Sequence, residues 1–184
     1  ISAPGSSLVN ATYPAAVAAG NVETSTRIVD VVLGALSRVI PERIPAASQG
    51  SMNNLAMGSR AADRPWDYYE TIGGGTGGSA RGPGISAVQS HMTNTLNTPV
   101  EVLEVRWPVR VDRMAIRSGS GGAGRHPGGD GLHKEIRFLA PALVSSLMTR
   151  HDAPPPGVRG GHGASTGRLV LVRGKDVVPV GPRD

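Results

Sequence analysis

Residues Tyr68 to Glu101 read YYETIGGGTGGSARGPGISAVQSHMTNTLNTPVE. The stretch holds a tyrosine pair, a glutamate, a glycine run, a histidine and a cluster of Thr and Asn. After Ile85 its only large apolar residues are Val88, Met92, Leu96 and Val100. The remaining residues can bond a substrate or let the backbone approach one closely. A polar, glycine-rich stretch of this length between ordered elements points to function rather than to core. The segments on either side are the framework that holds it.

Within the stretch, Trp66 to Ile72 reads as a strand, with Tyr68 and Glu70 on one face and Tyr69 and Thr71 on the other. Gly73 to Gly84 is loop. Ile85 to Met92 is a short element leading His91 into the Thr/Asn cluster. Thr98-Pro99-Val100-Glu101 fits a capping box with proline at the first helical position, opening a helix to about Val105 that Pro108 stops.

Upstream, Ile28, Val29, Val32, Leu33, Leu36, Val39 and Ile40 recur at helical spacing. Asn21 can cap this helix, Glu23 suits its first turn, and Pro41 ends it. It reads as scaffold. Ser51 to Met57 is expected to be a strand. Downstream, Val109 and Val111 alternate with Arg110 and Asp112, then the phase slips once before Met114 and Ile116, as a bulge would require. A second glycine loop spans Gly119 to Gly131. Leu132 to Leu139 alternates as a strand, with Lys134 the one exception on its apolar face. Leu143, Val144, Leu147 and Met148 mark another element, whose spacing admits a helical turn. Arg168 to Arg173 and Asp176 to Val180 are short strands after a Pro/Gly loop. The expected fold class is α+β, with a helix-containing part over about 1–117 and a β-rich part over about 118–184.

Composition bounds the chemistry. The chain of 184 residues carries 26 Gly, 15 Pro and a single Phe, enough Val, Leu, Ile and Ala for a core but an aromatic-poor one. Such a chain draws on partner surface for stability. It begins with Ile1, which suggests a fragment of a larger subunit. The net charge is +5, yet the arginines are scattered and no aromatic platform accompanies them, which argues against nucleic acid. Basic charge also suits an anionic ligand or an acidic partner. With no Cys, disulfides, thiolate metal sites and cysteine nucleophiles are excluded, and a cytoplasmic location fits. No apolar run is long enough for a membrane helix.

Two stretches match G-x-G-x-x-G, at Gly73, Gly75, Gly78 and at Gly119, Gly121, Gly124. Neither opens a helix after a strand, as a dinucleotide site requires, and neither is followed by G-K-[ST]. The five histidines show no H-x-x-x-H or H-E-x-x-H spacing, so no self-contained metal site is expected. No G-x-S-x-G elbow exists, which disfavours a Ser-His-Asp hydrolase. His91 and Glu70 can share acid–base work or ligate a metal together; the alternative for each is a structural role. Arg125-His126, between two glycine groups, is either an anion clamp or a tight turn with exposed charges.

Five motifs in order carry a family resemblance: Asn21-Val22-Glu23-Thr24-Ser25 with Arg27-Ile28-Val29-Asp30; Ala46-Ala47-Ser48-Gln49-Gly50 with Met52-Asn53-Asn54; Tyr69-Glu70-Thr71-Ile72-Gly73-Gly74-Gly75; His91-Met92-Thr93-Asn94-Thr95 with Asn97-Thr98-Pro99-Val100-Glu101; and Gly121-Gly122-Ala123-Gly124-Arg125 with Gly128-Gly129-Asp130-Gly131. Together they resemble the C-terminal portion of the hydantoinase B/oxoprolinase family, which includes N-methylhydantoinase B and acetone carboxylase alpha subunits. The resemblance implies ATP-dependent ring opening of a cyclic amide such as hydantoin or 5-oxoproline. It implies a hetero-oligomer with a hydantoinase A-type subunit that binds the ATP. The family's N-terminal Asn-Asp-Pro-Tyr and Gly-Gly-Thr-His-x-x-Asp stretches are absent here, and a divalent metal would belong to that missing part. On this resemblance Glu70 and His91 are acid–base or ligand groups, Asn94 and Asn97 orient the ring amide, Gly73, Gly74 and Gly75 allow close backbone approach, and Arg125 faces negative charge. The rival expectations are a ketone-carboxylating, acetone carboxylase alpha-like subunit and a non-catalytic assembly module.

Overall fold

The computed structural model describes residues 2–18, 20–60 and 64–181. Among these residues two α-helices and seven strands alternate with long loops: α1 Ser25–Leu36, β1 Asn54–Ser59, β2 Trp66–Thr71, α2 Val100–Arg106, β3 Val109–Arg117, β4 Gly131–Phe138, β5 Leu143–Leu147, β6 Leu169–Arg173 and β7 Asp176–Val180. The class is α+β and strand-rich, as expected. The strands form an antiparallel sheet in the order β2-β1-β5 and two antiparallel ribbons, β3-β4 and β6-β7. Two of these three sheets draw strands from both the helix-containing part and the β-rich part. The expected bulge is present, as a register shift between Val111 and Arg113.

The core is small. Leu55 and Met57 of β1, Leu103 of α2, Val109 of β3 and Met148 after β5 are buried together, with Trp66, Tyr68, Trp107, Ile136 and Phe138 packed around them. The Tyr68 and Trp107 rings meet at 4.6 Å between centroids. This cluster ties α2 and the β3-β4 ribbon to the three-stranded sheet. A two-stranded ribbon has little independent stability, so these contacts hold β3-β4 in place.

Several local expectations need correction. Asn21 does not cap α1: Gly20–Thr24 forms a π-helical turn, and Thr24 enters the helix in helical geometry without a side-chain cap bond. The helix ends at Leu36, short of Pro41. Its buried residue is Thr26, whose hydroxyl donates to the carbonyls of Val22 and Glu23. Its apolar row faces outward, with Ile28, Val31, Val32 and Leu36 between 40% and 70% exposed. The polar face turns inward because Glu23, Arg27 and Asp30 find partners there. The capping box at Thr98 is not formed: Pro99 is the cap residue and no side chain bonds the first turn. Ile85 to Met92 has no helix or strand, only bends, a turn and an isolated bridge from Val88 to Gly74. The segment at Leu143 is a strand, because β1 offers it an unpaired edge. The first strand runs from Asn54, three residues later than expected.

Candidate active site

Glycine-rich backbone builds one wall of the site. Gly75 and Gly77 lie in main-chain contact with neighbouring chain: a Cβ on Gly75 would fall 2.0 Å from the Gly129 carbonyl oxygen, and one on Gly77 would fall 1.8 Å from that of Ala46. Backbone bonds accompany the contacts, from Gln49 N–H to Gly75 C=O at 2.9 Å, Ala46 N–H to Gly78 C=O at 2.8 Å and Gly129 N–H to Thr76 C=O at 2.9 Å. The close approach expected at Gly73, Gly74 and Gly75 is therefore made by the chain to itself. The assembled loops line an open cleft of about 1530 Å³ that also receives Arg125, His126, Lys134 and Arg150.

The structure does not bring Glu70 and His91 together as an acid–base pair; each has its own charged partner. Glu70 is buried in β2 and accepts from Lys134 Nζ at 2.5 Å and 2.7 Å, from the Tyr68 hydroxyl at 3.1 Å and from Asn97 Nδ2 at 2.9 Å. The Glu70 and Lys134 side chains are each 3% exposed. Burial raises the Tyr68 pKa, which keeps its hydroxyl protonated as a donor to the carboxylate. Asn97 also donates to the Thr71 carbonyl at 2.9 Å, so its amide is committed to the framework. Lys134 is the residue that broke the apolar face of β4. A lone charge on such a face is the sequence signal of a buried counter-ion.

His91 meets Asp30 of α1 instead, Nε2 to Oδ1 at 2.9 Å. Beside a carboxylate this nitrogen carries the proton, which leaves Nδ1 as the basic nitrogen. Ser48 Oγ lies 3.1 Å from the same Nε2 and accepts from Gly50 N–H and the Ser90 hydroxyl. Because Asp30 and Ser48 share one ring nitrogen, no Ser-to-His-to-Asp relay through the ring exists. Asp30 is fixed in turn by Arg150 at 2.6 Å and Arg27 at 3.2 Å, both on Oδ2. Burial and the neighbouring Arg150 lower the Arg27 pKa, with Asp30 and Glu23 opposing. Glu23 accepts from Met52 N–H at 3.0 Å, Asn54 Nδ2 at 3.1 Å and the Thr149 hydroxyl at 3.3 Å.

Backbone conformation marks the same cluster. His91 at φ 58 and Arg150 at φ 66 both sit in the left-handed region, which costs a non-glycine residue about 1 kcal/mol or more. Gly50, at φ +56, could not carry a Cβ: that atom would lie 2.2 Å from Asp30 Oδ2. Three left-handed positions thus converge on one carboxylate. Sequence reasoning missed Asp30, because α1 reads as an amphipathic scaffold whose polar face belongs in solvent.

Asn94 is exposed and makes no side-chain hydrogen bond among the described residues. Arg125 is exposed on the cleft, likewise without an ion pair among the described residues. No group of three or more His, Asp or Glu among the described residues is placed to hold a metal ion. No helix among them is long and apolar enough to cross a membrane.

The sequence profile of the hydantoinase B/oxoprolinase family matches residues 1–183. The chain belongs to the hydantoinase B/oxoprolinase family. It is 44% identical over 182 residues to a 5-oxoprolinase of Dictyostelium discoideum, covering 98% of this chain and 14% of that protein. It is 30% identical over 171 residues to a protein of Pseudomonas sp. (strain NS671) provisionally assigned as the B-type component of a D-/L-hydantoinase, covering 93% of this chain and 28% of that one. The chain thus spans less than a third of the length of either relative. Its fold matches a nucleotide-free acetone carboxylase structure with a TM-score of 0.60 over 72% of this chain and 18% of that one. At 23% identity that likeness is one of fold. The family itself, with its oxoprolinases and hydantoinases, is hydrolase-like.

Proposed function

We propose that this chain forms part of an ATP-dependent cyclic-amide hydrolase, cytoplasmic and acting with a hydantoinase A-type subunit or domain. The observation that carries the reading is the Asp30–His91 contact, which fixes one tautomer and leaves Nδ1 as a base. In this reading the partner region transfers the terminal phosphoryl group of ATP to the ring carbonyl oxygen. His91 Nδ1 takes a proton from water as the water oxygen bonds to that carbon. The C–N bond then breaks, the ring nitrogen takes a proton, and a second water cleaves the resulting acyl phosphate to the acid and phosphate. One cyclic amide, one ATP and two waters give the opened acid, ADP and phosphate. Asn94 supplies the amide that orients the ring. Glu70 and Lys134 position Asn97 and the cleft wall. ATP and any divalent ion are held outside these residues, and no step is drawn through a metal.

The test is co-purification with a hydantoinase A-type subunit, followed by ATP hydrolysis with hydantoin or 5-oxoproline present. Substrate-stimulated turnover is expected. His91→Ala should abolish it, and Asp30→Asn should lower it about 10²- to 10⁴-fold with little change in KM. Undiminished turnover in His91→Ala would sink the base assignment; binding without turnover would leave a docking module. The fold likeness to acetone carboxylase favours one second reading, ATP-driven carboxylation of a ketone. Incorporation of labelled bicarbonate separates it from hydrolysis.

A further inference from the structure

The cleft carries an excess of positive charge that its own acidic residues do not neutralise. Asp112 is shared by Arg110 and Arg137, each at 2.7 Å, and these bonds from two guanidinium groups hold its pKa low. Glu135 is 2.6 Å from His133, and Lys134 and Arg150 are spent on Glu70 and Asp30. Four guanidinium groups in the cleft remain without an ion pair among the described residues, Arg117, Arg125, Arg159 and Arg168, of which Arg117 donates to the Thr166 carbonyl at 2.7 Å. Two of them, with His126 and His162, stand on a pair of loops pinned to each other. His162 N–H donates to the Ala123 carbonyl at 2.8 Å, Ser165 N–H to that of Ser120 at 2.9 Å, and a Cβ on Gly122 would fall 2.3 Å from the His162 carbonyl oxygen. A Cβ on Gly124, next to Arg125, would lie 3.7 Å from the Gly161 Cα, two residues from Arg159. Arg159 itself is held at φ 51 ahead of Gly160 at φ 83, a turn closed by Gly161 N–H to Val158 C=O at 2.9 Å.

We infer that these two loops form a phosphoryl-binding subsite, with Arg125 from one loop and Arg159 from the other closing on the same dianion. Guanidinium groups match tetrahedral oxyanions in geometry and charge, and loops pinned by main-chain contact hold them in place before the ligand arrives. The identity of the ligand, the phosphoryl group of the activated ring or the phosphate released from it, rests on the hydrolase reading. The existence of an anion subsite does not.

The experiment is direct titration of inorganic phosphate, and separately of 5-oxoproline as a carboxylate, into the full protein carrying this chain at two salt concentrations. Saturable phosphate binding that weakens with salt is expected. Arg125→Gln and Arg159→Gln should each weaken it about tenfold without shifting the melting temperature, since both side chains are exposed and unpaired. Arg81→Gln, an exposed arginine outside the cleft, should leave it unchanged. Absence of saturable phosphate binding overturns the subsite. Equal weakening by Arg81→Gln does the same, since the binding is then general charge attraction. Tighter binding of the carboxylate, lost in the same two variants, overturns the phosphoryl assignment. Because no turnover is measured, failure of the hydrolase reading leaves these outcomes legible.

Discussion

Replacing Lys134 by Met tests how the β3-β4 ribbon is held to the main sheet. The substitution keeps most of the side-chain length and removes the charge that faces Glu70 at 2.5 Å and 2.7 Å. With both side chains 3% exposed, the stranded carboxylate cannot reach water. Breaking a buried pair by removing one partner costs about 3–5 kcal/mol. Tyr68 and Asn97 still donate to Glu70, which places the expected loss near the lower end, at ~3 kcal/mol. Glu70→Gln alone strands the ammonium and should cost a similar amount. The double variant strands neither charge, so its loss should be about 1–2 kcal/mol rather than the roughly 6 kcal/mol of a simple sum. Urea unfolding of the four forms measures the cycle. Additive losses, or a single-variant loss under about 1 kcal/mol, would refute a desolvated pair.

Other outcomes follow from the geometry. Gly77→Ala drives a methyl into the Ala46 carbonyl and should cost ~3 kcal/mol or more, whereas Gly34→Ala, with open space in α1, should stabilise by about 0.5–1 kcal/mol; thermal melts compare them. Burial lowers the His151 pKa from its ordinary 6.5, with Asp152 opposing. The unfolded chain therefore binds the proton more readily, so stability should fall as pH drops below 6.5 toward the lowered value, and His151→Gln should flatten that limb of the stability–pH curve.

Strand positions were legible in the sequence where one face was apolar and the other polar. β2 and β4 fall within a residue or so of the strands read from their alternation, β6 and β7 within a residue of the short strands expected there, and the phase slip at Asp112 marks a real bulge. The failures share one cause. Periodicity assumes that apolar faces turn inward, and α1 with the turn before it obeys the opposite rule, burying Thr26 and aiming Glu23, Arg27 and Asp30 at the chain. The partner of His91 was hidden for that reason: Asp30 is 61 positions away, on a face assigned to solvent. Lys134 was visible as an anomaly, but its counter-ion could not be named without the packing that brings its side chain to Glu70 from a separate sheet. Asn97 was legible as polar, and only the structure shows its amide spent on Glu70 and Thr71.

The surface area explains why directional contacts rather than apolar burial define this site. A compact protein of 18.9 kDa exposes about 8,300 Å² by the usual scaling, and this chain exposes 12030 Å². The apolar row of α1 and the valines of β6 and β7 contribute to the difference, with Val31 at 70% and Val172 at 60%. A chain with so little hydrophobic interior cannot fix the geometry of this site by packing alone. It does so with a buried ion pair at Glu70–Lys134, a half-buried one at Asp30–Arg150, and glycine backbone packed where side chains would not fit. Such contacts lose their worth when water enters, because screening weakens ion pairs far more than it weakens apolar contact. On the hydrolase reading proposed above, the outward apolar surfaces are coupled to the chemistry. Covering them keeps water from the charge clusters, so a polar substitution such as Val31→Asp on the outer face of α1 should lower turnover in the assembled enzyme. The effect should appear as a weakened assembly and a lower melting temperature, read by sedimentation and calorimetry, with the Asp30–His91 geometry untouched in the folded fraction. Unchanged assembly and turnover in Val31→Asp would show that this face stays in water and that the clusters hold without cover.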